Sequence, residues 1–381
     1  MTITRLHSLL FCTLTVLAFS ACGGDDDDAE EPVDVEQTAD SDNNDDSDGD
    51  DSDGDAATDE EETSDDDATA AVTNDFAKGA DVSWLTEMEA AGYKFYDSDG
   101  NATECMALLK SLGVDAIRLR VWVDPDDGWC GKEDVVAKAV RADALGMRLM
   151  IDFHYSDSWA DPSRQTIPSA WTSYDLEAMK TAVADHTTDV LQAIKDEGAT
   201  VDWVQVGNET RVGMLWDVGL VADDDFSSFA ELVTAGYDAV KTVFPSAKVI
   251  VHLDNGYDLS LYKWMFDGLA AEDTKWDVIG MSIYPESGTW STRIASCLSN
   301  MSTLAARYDC EVMMCEIGMS WDATFAEEAM RQMVEGAKQV EACLGVFYWE
   351  PECYNGWNGY TKGAFDNTGK PTSTLNVFGE E

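Results

Sequence analysis

Between residue 78 and the C-terminus, short apolar runs alternate with longer amphipathic segments. Continuous apolar runs of about four to eight residues are typical of parallel strands that are buried on both faces. Eight such runs predict the strands Gly79–Ser83, Ala116–Val123, Arg148–Tyr155, Trp203–Asn208, Lys248–Asp254, Val278–Tyr284, Glu311–Glu316 and Val346–Trp349. This alternation predicts an α/β fold with a parallel sheet.

The segments between these strands help to decide how the sheet is arranged. The clearest helical patterns are Glu104–Leu112, Glu133–Leu145, Asp175–Glu197, Phe226–Phe244 and Ala323–Leu344. Glycine follows two of them, at Gly113 and Gly198, and Pro245 ends a third. An open doubly wound sheet would carry a glycine-rich phosphate turn, and Gly79-Ala80-Asp81 lacks its spacing. Eight strands with helices over about 300 residues instead predict a (β/α)8 TIM barrel at 75–381.

The first residues predict export from the cell. Met1–Ala21 combines Arg5 with an apolar core that is too short to span a bilayer, as in a signal peptide. Phe19-Ser20-Ala21-Cys22 resembles a bacterial lipobox, so we expect lipid attachment at Cys22. Ordinary signal cleavage beside an incidental cysteine is the alternative. We therefore expect either a cell-envelope lipoprotein, held to the membrane by its N-terminal lipid only, or a secreted protein.

Residues 22–74 are predicted to form the lipid-anchor cysteine and a disordered acidic linker. Asp25–Asp67 contains 24 Asp or Glu residues and no Lys or Arg, a composition that cannot bury a core. Its Asp-Ser-Asp-Gly-Asp repeats lack the closing Glu and the flanking apolar helices of an EF-hand. The formal net charge of −51 disfavours nucleic-acid binding.

Polar and aromatic residues occupy almost every predicted strand end. In a β/α barrel, functional groups collect at the C-terminal ends of the strands. These positions hold Asp81, Ser83, Arg118, Arg120, Trp122, Asp152, His154, Asp157, Asn208, Glu209, His252, Asp254, Tyr284, Glu316, Trp349 and Glu350. A barrel with a purely structural role would not need them, so we predict a functional site at this end.

Glu209 and Glu316 each end a buried-looking apolar run, where a carboxylate is costly unless it is paired or functional. At the ends of strands four and seven, they would face each other across the barrel mouth. Retaining cleavage of a glycosidic bond uses two carboxyl groups about 5–5.5 Å apart. Asn208, just before Glu209, is placed to contact the sugar 2-hydroxyl. The alternative is that both glutamates are surface-loop residues.

The two glutamates need different protonation states for this chemistry. We expect Glu316 to stay ionised near the cation of Arg120, and Glu209 to be kept protonated by its environment and by the neighbouring charge. Arg118 and Arg120 share one strand face, and one or both must meet carboxylates inside a barrel. A purely structural ion pair is the alternative for these arginines.

The chain has 13 tryptophans, and many lie at predicted strand ends or in loops. Flat aromatic faces pack against the C–H faces of sugars, although a single tryptophan is more often a core or loop anchor. Trp349 ends the last strand beside the predicted cleavage point, and we expect it to contact substrate.

Several motifs together resemble glycoside hydrolase family 53, the arabinogalactan endo-β-1,4-galactanases of the retaining barrel clan A. The resemblance runs from about Lys78 to Phe378. The motifs are Gly79–Ser83, Ile117–Trp122, Asp152–Pro162, Gln205–Glu209, His252–Gly256 and Phe347–Pro351. The Asp152–Pro162 block is the most specific of them.

The resemblance implies a retaining endo-hydrolase of β-1,4-galactan, with Glu209 as acid/base and Glu316 as nucleophile. The residues that it implies at the cleavage subsite are Asp81, Arg120, His154, Asn208, His252, Tyr284 and Trp349. We expect Asp157 and Trp159 to bind substrate as well. The sequence departs from the family pattern at Ile317–Trp321 and in the short loop Glu352–Trp357, which affects the distal subsites. Some bacterial members hold calcium in long loops there. This chain offers no clear ligand set, so we expect no cofactor, and we expect a monomer.

Seven cysteines lie in the predicted barrel domain. Cys105 and Cys130 are both expected at the top of the barrel and form our candidate disulfide, and Cys310 with Cys343 is a weaker one. Cys315 is expected to be a buried thiol. No cysteine spacing matches a zinc site.

Two other functions stay open from the sequence. A related barrel β-glycanase acting on mannan or glucan would keep the same pair of glutamates. A non-catalytic, surface glycan-binding barrel would keep the aromatic residues but would not need the glutamates.

Overall fold

The computed structural model describes residues 76–380, so the predicted signal peptide, Cys22 and the acidic linker lie outside the described residues. Eight parallel strands form a closed barrel in which β1 pairs with both β2 and β8. The strands are β1 Ala77–Asp81, β2 Ala116–Val121, β3 Arg148–Phe153, β4 Trp203–Val206, β5 Lys248–Leu253, β6 Val278–Ile283, β7 Glu311–Ile317 and β8 Cys343–Trp349. The predicted TIM barrel and its eight strands are confirmed.

Eight α-helices accompany the strands within the described residues. They are α1 Leu85–Ala90, α2 Cys105–Ser111, α3 Lys132–Ala144, α4 Leu176–Asp196, α5 Ser227–Val243, α6 Leu259–Ala271, α7 Trp290–Tyr308 and α8 Ala326–Lys338. The Asp175 side chain caps α4 by accepting from the Ala178 N–H. The predicted helix Ala323–Leu344 was too long, because Cys343 and Leu344 already belong to the buried strand β8.

The inside of the barrel changes character along its axis. Because alternate residues of a strand face inwards, β2 contributes Ala116, then Arg118, then Arg120. The lower part is apolar and is filled by large side chains such as Phe347. Gly79 makes room for that ring, since a Cβ there would lie 2.1 Å from Phe347 Cδ1. The apolar part fixes the strands on which the polar upper part is built.

All seven cysteines among the described residues are free thiols, so the predicted disulfides are wrong. Cys130 Sγ lies 3.4 Å from the Arg120 guanidinium and 3.6 Å from the Ser83 carbonyl oxygen. Cys105 is buried in α2 instead, and Cys343 Sγ contacts the Gly345 carbonyl oxygen at 3.7 Å. The two cysteines of each predicted pair were expected at the same end of the barrel, but each thiol packs against different neighbours, so no disulfide forms.

Among residues 76–380, no helix combines the length and the apolar character that crossing a membrane requires.

Candidate active site

Glu209 stands at a sharp turn directly after β4. Gly207 has φ +90° and Glu209 has φ +45°, a left-handed conformation that is uncommon for a residue with a side chain. The Glu209 carboxyl group borders the cavity at the barrel mouth. Its Oε1 lies 2.6 Å from Ser282 Oγ, which in turn lies 2.8 Å from His252 Nε2. The strained turn therefore places this carboxyl against a polar wall formed by β5 and β6.

Glu316 faces the same cavity because β7 is irregular. The register shifts against β6, so that Met281 pairs with Met314 and Ser282 with Glu316. A bulge of this kind re-aims the next side chain; here Cys315 lies in the barrel interior and Glu316 still points into the mouth. The Tyr284 hydroxyl donates to Glu316 Oε2 at 2.6 Å.

Arg118 is the cation that holds Glu316. Its Nη2 lies 2.8 Å from Glu316 Oε1, and the guanidinium also pairs with Asp81 at 2.6 Å and with Asp152 at 3.0 Å. Gln205 Oε1 accepts from Arg118 Nε at 2.7 Å. A fully buried arginine is tolerated because all of these acceptors compensate it.

Arg120 was expected to hold Glu316, and this prediction is wrong. It pairs with Glu350 at 3.0 Å, and its guanidinium lies 4.2 Å from the centre of the Trp159 ring. Both arginines of β2 point inwards, but Arg120 is two residues further along the strand, next to the chain that leaves β8. Both arginines do meet carboxylates, as expected.

The carboxyl groups of Glu209 and Glu316 differ in the charges and hydrogen bonds that set their pKa values. Burial raises the pKa of Glu209 well above its usual range, and the nearby charge of Glu316 raises it further. Burial raises the pKa of Glu316 as well, but Arg118 and the Tyr284 hydroxyl act against it, and the resulting pKa is about 7. Glu209 is therefore the carboxyl that keeps its proton more strongly.

The two histidines of the site are neutral at pH 7. Burial and Arg118 lower the pKa of His252 to about 3, and burial lowers the pKa of His154. His154 Nδ1 accepts from the Ala160 N–H at 3.0 Å, so Nε2 carries the hydrogen that Asp152 accepts at 3.0 Å. Neutral histidines leave Arg118 as the main positive charge beside Glu316.

Some of the predicted site residues line one cavity, and others lie beneath it. A cavity of about 180 Å³ is bordered by Glu209, Glu316, His154, Trp159, Asn208, Tyr284 and Trp349. Asp81, Arg120 and His252 are fully buried and act beneath that surface. Asp157 does not join them, because its Oδ2 accepts from the Ser169 N–H at 2.8 Å in the loop after β3.

Asn208 is held rigidly at the cavity wall. Its Oδ1 accepts from Arg118 at 3.0 Å, and its Nδ2 donates to the Ala160 carbonyl oxygen at 2.9 Å. Sequence reasoning missed Ser282, which lies two residues before Tyr284 and so on the same face of β6. That spacing was the available signal.

Grooves extend from the cavity on two sides. One, of about 560 Å³, is bordered by tryptophans 84, 122, 129, 159 and 349 and by Tyr360. The other, of about 400 Å³, is bordered by Glu209, Tyr257, Tyr284 and Arg293. A larger cavity of about 880 Å³ lies at the opposite end of the strands, away from both glutamates. The site thus continues as a long cleft across the barrel mouth.

Among residues 76–380, Glu350, Glu352 and Cys353 bring three possible metal-ligand atoms together, and all three residues are buried. Calcium prefers six to eight oxygen ligands, and two carboxyls with a thiol do not fit that requirement.

A closed β/α barrel with two unequal carboxyl groups in one cleft defines the class of protein as a glycoside hydrolase. Residues 77–330 match the model of glycosyl hydrolase family 53, and the chain belongs to this family.

Relatives and solved structures agree with this family. The chain is 32% identical to a probable arabinogalactan endo-β-1,4-galactanase A of Neosartorya fischeri, over 72% of this chain and 83% of that protein. It is 31% identical to an endo-β-1,4-galactanase of Bacillus subtilis, over 74% of this chain and 71% of that protein.

The fold is similar to a structure from a study of two fungal β-1,4-galactanases, with TM-score 0.74, 29% identity and coverage of 80% and 98% of the two chains. It is also similar to the family 53 catalytic domain of Ignisphaera aggregans, with TM-score 0.73, 29% identity and coverage of 81% and 97%.

Proposed function

We propose that this enzyme is an endo-acting, retaining hydrolase of β-1,4-galactan, the galactan of type I arabinogalactan. Family membership and the activities named for its relatives support the substrate. The observation that carries the chemistry is the unequal pair: Glu209 and Glu316 border one cavity, and Arg118 contacts only Glu316 of the two.

In the first step, the Glu316 carboxylate attacks the anomeric carbon of the bound sugar. Glu209 gives its proton to the departing glycosidic oxygen, so one chain leaves as an alcohol and the other becomes a glycosyl ester of Glu316. Transfer of negative charge out of Glu316 lowers the field on Glu209, whose pKa then falls.

In the second step, Glu209 acts as the base. It takes a proton from water, the water oxygen attacks the anomeric carbon, and the ester bond to Glu316 breaks. Two inversions leave the β configuration unchanged, and both glutamates return to their starting protonation states. This chemistry needs no metal ion, so we expect a chelator to leave the rate unchanged.

Endo action follows from the cleft. Grooves leave the catalytic cavity on both sides, one rich in tryptophan and one bordered by Tyr257 and Arg293. Sugar rings can continue in both directions from the cleaved bond, so an internal bond of a polymer can reach the glutamates.

The substrate is tested by measuring reducing ends released from potato galactan, mannan and cellulose oligomers. We expect release from galactan, with the first product appearing as the β-anomer in NMR spectra. Preferred release from mannan or glucan would support the related β-glycanase, and tight galactan binding without release at any pH would support a glycan-binding barrel.

The acid/base role is tested with Glu209→Ala on an aryl galactobioside that needs no protonation to leave. Azide should restore turnover and yield a β-galactosyl azide. The matched variant Glu316→Ala should yield the α-azide or none, and a Glu316→Ala enzyme with wild-type activity on galactan would contradict the nucleophile assignment.

We also propose export and lipid attachment at Cys22, on the basis of the sequence. Labelling cells with a fatty-acid analogue should mark the wild-type protein and leave Cys22→Ala unmarked. Equal labelling of both proteins would contradict this proposal.

A further inference from the structure

A second pair of carboxyl groups lies behind the tryptophan-rich groove, directly after β8. Glu350 is fully buried, and both of its oxygens have partners. Oε1 pairs with Arg120 Nη1 at 3.0 Å, and Oε2 accepts from the Trp84 N–H at 3.2 Å. Glu350 thus connects β8, β2 and the turn after β1.

Glu352 is also fully buried, and neither of its carboxyl oxygens meets a protein donor. Its carboxyl lies close to that of Glu350, since one carboxyl oxygen of Glu350, one of Glu352 and the Cys353 Sγ all lie within 4.8 Å of one another. An unpaired buried carboxylate is costly, and two adjacent carboxyls in one buried site cannot both ionise easily.

The charged and titratable groups around the pair come from several elements. Arg120 of β2 is the cation, and Asp81 of β1 adds a further negative charge. The surrounding thiols are Cys105 of α2, Cys130 after β2 and Cys353. Burial raises the pKa of Glu352 well above its usual range, and the charge of Glu350 raises it further.

We propose that Glu352 is kept protonated and donates a hydrogen bond to the Glu350 carboxylate. The pair then carries one negative charge and fixes Arg120 beneath the tryptophan-rich groove. Glu352 is then a positioning residue: it touches no substrate and acts through Glu350 and Arg120. The role in sugar binding rests on the proposed function, whereas the shared proton does not.

Arg120 transmits the effect to the substrate cleft. Its guanidinium lies 4.2, 5.0 and 5.3 Å from the ring centres of Trp159, Trp122 and Trp84. Trp159 borders both the catalytic cavity and the tryptophan-rich groove. Loss of the shared proton would place two charges side by side, draw Arg120 towards them and disturb the ring that it supports.

The test compares Glu352→Gln, whose amide still donates to Glu350 but cannot ionise, with Glu352→Leu, which has no donor. Kinetics on galacto-oligosaccharides should show KM of the wild type rising as the pH passes the pKa of Glu352, and KM of Glu352→Gln staying flat. For Glu352→Leu we expect KM to rise about tenfold at every pH, with little change in kcat. The surface variant Glu328→Gln should match the wild type.

Infrared spectroscopy tests the proton without any substrate. At neutral pH the wild type and Glu328→Gln should share one carbonyl band of a buried protonated carboxyl that Glu352→Gln lacks, while the band of the protonated Glu209 should be common to all three proteins. An enzyme that fails on galactan but shows the band that Glu352→Gln lacks would contradict the proposed function and leave the shared proton standing.

Three results would overturn the inference. They are a protonated-carboxyl region of the spectrum that is the same in Glu352→Gln as in the wild type, a Glu352→Gln enzyme whose KM follows the same pH dependence as the wild type, and a stoichiometric divalent ion in the purified protein that Glu352→Gln lacks. The last result would mean that a metal, rather than a proton, neutralises Glu352.

Discussion

The two carboxyl pairs at the mouth of the barrel are built alike and differ in access. Each is served by an arginine of β2, Arg118 for Glu316 and Arg120 for Glu350. The Glu209–Glu316 pair opens into a cavity, and Glu209 is partly exposed there. The Glu350–Glu352 pair is sealed behind aromatic rings. The proton of Glu209 can therefore be transferred to a bound substrate, whereas the proton of Glu352 is out of reach of substrate and can only stabilise the structure.

The largest expected effect comes from the open pair. Glu316→Gln removes the nucleophile and keeps the shape, so kcat/KM on galactan should fall by about 10⁴-fold or more. Steady-state kinetics with matched circular dichroism spectra measure this. In the sealed pair, Glu352→Gln should lose far less activity at acidic pH than Glu316→Gln does. Equal losses in the two variants would contradict the distinction between a catalytic and a structural pair of carboxyl groups.

Removing the two arginines should separate their roles. Arg118→Gln leaves buried carboxylates without their cation and should lower the free energy of unfolding by about 3–5 kcal/mol. The pKa of Glu316 should rise, because Arg118 lowers it, and the acidic limb of the kcat/KM profile should move to higher pH. Arg120→Gln should leave that limb in place, and a shift of equal size would contradict the assignment of one arginine to each pair.

Tyr284→Phe tests the second support of the nucleophile. A hydrogen bond to a charged group contributes about 1.5–3 kcal/mol, so kcat should fall about 10- to 100-fold. The acidic limb should again move to higher pH, because the Tyr284 hydroxyl lowers the pKa of Glu316. An unchanged limb in the pH–rate profile would show that this bond does not favour the ionised form.

The smallest expected effect is on stability. The pKa of Glu209 is higher in the folded than in the unfolded state, so the folded protein binds its proton more tightly. Stability is then lost as pH rises from about 4.5 towards the folded pKa. Glu209→Gln removes this loss, and its melting temperature should exceed that of the wild type increasingly over this range. A constant difference would contradict the raised pKa.

The barrel and the positions of the two glutamates could be predicted from the sequence, whereas the contacts between side chains in the site could not. Continuous apolar strand runs that alternate with helical segments predict the barrel, and they place Glu209 and Glu316 at one end of it. Which arginine serves which carboxylate depends on the layer of the barrel that each reaches, and the bulge in β7 is a local irregularity with no clear sequence pattern. The cysteine pairs failed for a similar reason, since side-chain directions in loops are set by packing.

The contact between Glu350 and Glu352 could not be predicted from the sequence either. Glu350 was recognised as a strand-end residue, but the position of Glu352 beside it depends on the fold of the last loop. Sequence separation placed the two residues near each other without indicating that both would be buried.

The roles of Glu209 and Glu316 are tested most directly by trapping the glycosyl-enzyme with a 2-fluoro galactobioside that carries a good leaving group, and then locating the label by peptide mass spectrometry. We expect time-dependent inactivation with one sugar bound to Glu316. A label on Glu209, or turnover without any covalent species and with an α-anomeric first product, would contradict these roles.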